Sequence, residues 1–125
     1  MPSRAVVLFA HGSRDPLWCR PVEAVAARMR LLDPDVPVNC AYLELMAPDL
    51  PAAVRSLVTG GAERITVVPM FLGVGRHARQ DLPELMATLS REHPAVRFDL
   101  QQAIGEDPRV LDLLAEIALK SAFGG

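Results

Sequence analysis

The stretch Val67-Val68-Pro69-Met70-Phe71-Leu72-Gly73-Val74-Gly75-Arg76-His77 decides the fold. Its first half is apolar without alternation, which suits a strand buried on both faces, and such strands belong to parallel sheets. Its second half is a glycine-bearing loop that ends on a histidine. Two other stretches have the same form. Ala5-Val6-Val7-Leu8-Phe9-Ala10 leads directly to His11, and Val38-Asn39-Cys40-Ala41-Tyr42-Leu43 leads to Glu44. In a parallel sheet, His11, Glu44 and His77 emerge on one edge.

Helical patterns separate these runs. Asp15-Pro16 offers an N-cap and a first-position proline. Trp18, Val22, Val25, Met29 and Leu32 then make one stripe in steps of three and four. Pro21 is awkward in the first turn, so a start nearer Cys19 is the alternative. Asp49 can cap a second helix with Leu50, Ala53, Val54, Leu57 and Val58 on its apolar face, closed by Gly60-Gly61. Residues 72–80 read as loop. Leu82, Leu85, Met86 and Leu89 mark a third helix, which either starts at Asp81 or starts earlier and carries Pro83 inside it. Val96 to Leu100 is a short fourth strand. Asp107-Pro108 opens a last helix with Val110, Leu111, Leu114, Ile117 and Ala118 on one face. Four alternations of strand and helix predict a four-stranded parallel sheet with right-handed crossovers and helices on both faces. Ligands bind such sheets outside the carboxyl ends of the strands.

Composition agrees. A chain of 125 residues, half hydrophobic and 22% charged, predicts one globular α/β domain over 1–125. The net charge of −2 gives no basic footprint for nucleic acid. No apolar run approaches a membrane span, and the first is too short for a signal segment, so a cytoplasmic protein is expected. Cys19 and Cys40 are isolated and read as two buried free thiols.

The histidines carry the chemistry. His11 is either a loop residue bonded to backbone or a ligand or base facing a cleft; imidazole binds metals and titrates near neutrality. His77 lies with Gly73 and Gly75, which either let a bulky ligand approach or permit a turn. Glu44, between Leu43 and Leu45, is either half of a buried ion pair or a carboxylate serving a metal or a proton. Two histidines and a glutamate suit Co²⁺, Fe²⁺, Ni²⁺ or Zn²⁺. Arg14, Arg76 and Arg79 are solvated cations or, clustered at the opening, forks for an anionic ligand. His93 reads as structural, at a helix C-terminus. A small anion-binding domain using a helix N-terminus after Gly12-Ser13 is a further reading.

The motifs Ala10-His11-Gly12-Ser13-Arg14, Tyr42-Leu43-Glu44-Leu45 with Pro48, and Val68-Pro69-Met70-Phe71-Leu72 running to Gly75-Arg76-His77 and Asp81-Leu82-Pro83 resemble the small CbiX-type sirohydrochlorin chelatases through nearly the whole chain. The resemblance implies a chelatase-like domain and a class II chelatase, a lyase that inserts Co²⁺, or else Fe²⁺ or Ni²⁺, into a sirohydrochlorin-type tetrapyrrole without ATP or an organic cofactor. It implies His11 and His77 as metal-binding histidines and Glu44 as their acidic partner, with Arg14, Arg76 and Arg79 toward the substrate carboxylates. It also implies a homodimer, because larger relatives carry two such domains in one chain. A non-catalytic carrier of metal or tetrapyrrole is the alternative. Family members often have His-Pro where this chain has Asp107-Pro108.

Overall fold

The computed structural model describes residues 3–122. The chain alternates as expected: β1 (Arg4–Ala10), α1 (Arg20–Leu32), β2 (Val38–Tyr42), α2 (Leu50–Thr59), β3 (Arg64–Pro69), α3 (Arg76–Glu92), β4 (Arg97–Leu100) and α4 (Pro108–Ala122), with a 3-10 turn at Ile104–Glu106. All strand pairs are parallel, in the order β2-β1-β3-β4. Val7 is flanked by Asn39 on one side and Val67 on the other, so β1 is interior and β2 lies on an edge.

The two-residue period of β1 divides the core. Ala5, Val7 and Phe9 face α2 and α3, with Val54, Leu57, Ile65, Val67, Leu82 and Leu89 completing that layer. Val6 and Leu8 face α1, where Val22, Ala26 and Met29 pack. The second layer is thinner: Val6, Val68 and Met70 stay half-buried. On α2 the Asp49 carboxylate accepts a 2.9 Å hydrogen bond from the Ala52 N–H, as its N-cap position predicts. Gly60 and Gly61 end the helix, the latter at a φ of +100°.

α1 and α3 take the alternative starts the sequence left open, near Cys19 and before Asp81, so residues 76–80 are helix and not loop, and α4 is left uncovered. α1 starts at Arg20, because the Asp15 carboxylate instead accepts from the Leu17 N–H in a local turn. Its stripe is correspondingly shifted: Ala26 is the buried residue, while Val25 and Leu32 are exposed. α3 starts at Arg76, capped by Gly75, and carries Pro83 inside it. Asp81 is therefore within the helix. α4 buries none of its residues and packs chiefly against the 3-10 turn. No described helix is long and apolar enough to cross a membrane.

Candidate functional site

The order β2-β1-β3-β4 reverses direction at β1, so the crevice expected at a switch point opens between the ends of β1 and β3. His11 is the first residue after β1. Its ring stacks on Phe71, just past β3, with centroids 4.2 Å apart and planes 26° off parallel. Phe71 is itself buried and reaches Phe9 at 6.2 Å, so a core aromatic supports the exposed imidazole. His77 comes from the first turn of α3, not from a loop. The two histidines share one cavity of about 200 Å³, walled by Phe9, Leu43, Phe71, Leu82 and Leu85. Arg76 and Asp81 are its other charged lining residues.

Glu44 reaches the site differently. β2 ends at Tyr42, so Glu44 is exposed rather than buried at a strand end. Its backbone N–H donates to the His11 carbonyl at 3.0 Å, and Leu43 donates to Ala10 at 2.9 Å. Leu45, next along, holds a left-handed φ of 67°, costly for a leucine. Gly12 makes the approach of these two loops feasible. Its φ is +96°, and a Cβ there would fall 1.9 Å from the Glu44 carbonyl oxygen. The Glu44 carboxylate does not line the histidine cavity. Among the described residues no three His, Cys, Asp or Glu side chains form a ready-made metal set. One chain thus brings His11 and His77 together and leaves Glu44 at their margin.

Arg14 and Arg79 are exposed and line no part of this cavity. Neither they nor Arg76 is held in an ion pair among the described residues. No helix starts directly after Gly12-Ser13: residues 14–19 form bends and turns, and α1 begins at Arg20. Gly73 and Gly75 have open space where a Cβ would stand, and neither has a positive φ. A larger cavity of about 680 Å³ lies outside edge strand β2, lined by Glu23, Arg30, Cys40 and Tyr42 among others, with no histidine. Burial pushes the Tyr42 hydroxyl and the Cys40 thiol up from their ordinary ranges. Cys19 is buried and Cys40 half-buried, both free. Asp107 is structural: it accepts from the Arg109 N–H at 2.9 Å and pairs with its guanidinium at 2.7 Å, fixing the start of α4. His93 caps the end of α3, as expected.

Residues 5–120 match the CbiX family model. The chain belongs to the CbiX family. It is 34% identical to the sirohydrochlorin cobaltochelatase of Methanocaldococcus jannaschii, over 91% of this chain and 96% of that one. It is 31% identical to the sirohydrochlorin ferrochelatase of Priestia megaterium, over 90% of this chain but 42% of the relative. Its fold superposes on the crystal structure of a CbiX protein from Marinobacter aquaeolei VT8 with a TM-score of 0.84, 33% identity and coverage of 98% and 99%. The sirohydrochlorin chelatase SirB from Bacillus subtilis subspecies spizizenii, solved in complex with cobalt, superposes at 0.76 with 28% identity, over 90% of this chain and 47% of SirB. This CbiX chain thus spans the full length of some relatives and less than half of others. Asp81 is the cavity residue whose place the sequence hid, because a carboxylate before Leu82-Pro83 looks like a helix cap.

Proposed function

We propose that this chain catalyses ATP-independent insertion of a divalent metal, Co²⁺ first and Fe²⁺ next, into sirohydrochlorin. The observation that carries the reading is the pairing of His11 and His77, from two different βα units, across one apolar cavity at the switch point. Relatives named as sirohydrochlorin cobaltochelatases and ferrochelatases support the substrate class.

The chemistry fits the groups. Insertion requires stripping a hydrated ion, presenting it to the macrocycle nitrogens and removing two pyrrole protons. Neutral imidazoles coordinate Co²⁺ and Fe²⁺, and a pair leaves positions for the incoming nitrogens. Apolar walls suit the face of a flat macrocycle, and Arg76, with Arg79 just after it and Arg14 just after His11 in sequence, suits its carboxylate rim. Glu44, beside His11, is the acidic partner at the margin. We read the chain as one chelatase-like domain working in the cytoplasm as a homodimer. The exposed face of α4, with Leu111, Leu114 and Ile117, and the double length of some relatives support a second copy.

The test is anaerobic absorbance of sirohydrochlorin mixed with Co²⁺, with wild type, His11→Ala and His77→Ala. Protein-dependent metallation lost in both variants is expected. Wild-type protein that perturbs the spectrum at one equivalent without accelerating metallation would replace the enzyme with a carrier. Full turnover by either variant overturns the assignment of the histidine pair.

A further inference from the structure

We infer that Asp81 is a proton acceptor for metal insertion, working beside His77. The inference rests on the chelatase reading above and adds a residue to it. Each divalent ion that enters the macrocycle displaces two pyrrole N–H protons. A neutral imidazole has one acceptor nitrogen, so a histidine that holds the ion cannot take a proton at the same time. If His11 and His77 hold the ion, another base must act.

The cavity offers one. Asp81 lies four residues after His77 on α3, a spacing that puts both on one helix face, and both line the same cavity. The Glu44 carboxylate does not line it. Asp81 is exposed, and among the described residues its carboxylate is held in no ion pair. Asp81 also has an outlet. With Leu43 and Leu85 it lines both the histidine cavity and an adjoining, more open one of about 340 Å³ that Glu84 and Thr88 border.

The step balances without a further reagent. An Asp81 oxygen takes the proton of a pyrrole N–H. The electron pair of that bond stays on nitrogen and becomes its donor pair to the ion. The neutral carboxyl then gives its proton to solvent through the open cavity, and the regenerated carboxylate takes the second pyrrole proton in the same way. A purely structural role is poorly supported: Asp81 is the sixth residue of α3, beyond the first turn where a carboxylate helps the helix dipole.

The test compares wild type, Asp81→Asn and Asp81→Glu, all full-length. Co²⁺ binding without macrocycle is read from the metal's visible absorbance, and turnover from metallation of sirohydrochlorin. The asparagine variant is expected to lose about 100-fold in kcat, the low end for a positioned base. Its Co²⁺ affinity and KM should stay within about threefold, the range a lost proton acceptor leaves untouched. Asp81→Glu should recover part of kcat, and added formate should raise kcat of the asparagine variant alone. Three results overturn the assignment: asparagine turnover equal to wild type, Co²⁺ affinity falling in step with kcat, or no rescue by either formate or glutamate. A wild-type protein that metallates nothing is a separate result, and it overturns the chelatase reading and this role together.

Discussion

Replacing Gly12 by alanine should damage fold and site at once. Gly12 has a φ of +96°, and an added Cβ would lie 1.9 Å from the Glu44 carbonyl oxygen. Putting an L-residue in that backbone region costs about 1–2 kcal/mol. Relieving the collision means parting the β1 and β2 loops by more than about 1 Å, and overpacking of that kind costs about 1–3 kcal/mol. Together they remove roughly 2–5 kcal/mol from a native stability of about 5–15 kcal/mol. For a chain of this size that lowers Tm by about 10 °C or more. The same shift pulls on the Glu44 N–H bond to His11, and a 1 Å misplacement at a reacting group costs about 100-fold in rate. Thermal unfolding by circular dichroism and Co²⁺-dependent metallation would be measured together. Gly73→Ala is the control, since its Cβ meets nothing within 4 Å and its φ is not positive; its stability should hold or rise by about 0.4–1 kcal/mol. If Gly12→Ala melts with Gly73→Ala and keeps full activity, the tight approach of the two loops is not what holds His11.

Phe71→Leu should cost about 1–3 kcal/mol by urea denaturation, since it removes aromatic contacts to His11 and Phe9 worth about 0.5–1.5 kcal/mol each. Its Co²⁺ affinity should fall as well; unchanged affinity would mean that the stack does not position His11. Asp49→Ala should destabilise by about 1 kcal/mol, because the Ala52 N–H loses its acceptor. Hydrogen bonds from the Arg109 side chain, then its backbone N–H, hold the Asp107 carboxyl down at about 2. A depressed carboxylate stabilises above its unfolded value near 4 and loses that contribution as pH falls toward about 2. Amide exchange at Val110 and Leu111, which bond to the Asp107 carbonyl, should therefore accelerate across that window in wild type and much less in Asp107→Asn.

The sheet was legible because unbroken apolar runs have few other uses, and the strand ends carried His11 into place with them. α3 was harder. Pro83 looks like a boundary because an interior proline costs about 3 kcal/mol. Burying Leu82, Met86 and Leu89 contributes about 1.5–3 kcal/mol each, so packing outweighs the proline and the helix runs back to Arg76. That earlier start, one of the two the sequence left open, moves His77 and Asp81 onto one face. Glu44 misled because Leu43 and Leu45 look like strand. They are 43% and 57% exposed, since the chain bends after Tyr42.

α4 poses the opposite problem: its stripe was legible, but periodicity does not say what covers it. Leu111, Leu113, Leu114, Ile117 and Leu119 are each at least 41% exposed, and the α1 side of the sheet is thinly covered at Val68 and Met70. Exposed apolar side chains in such number on one helix suit an interaction face. The histidine cavity points the same way. At about 200 Å³ it is smaller than the roughly 300–1,000 Å³ that encloses a drug-sized ligand, and a tetrapyrrole is larger still. One copy therefore offers a wall with two histidines in it rather than an enclosure. This chain spans less than half the length of some relatives. In the homodimer proposed above, a second copy related by a two-fold axis would supply the facing wall from the same sequence, and the exposed apolar residues of α4 would offer it a surface to pack on.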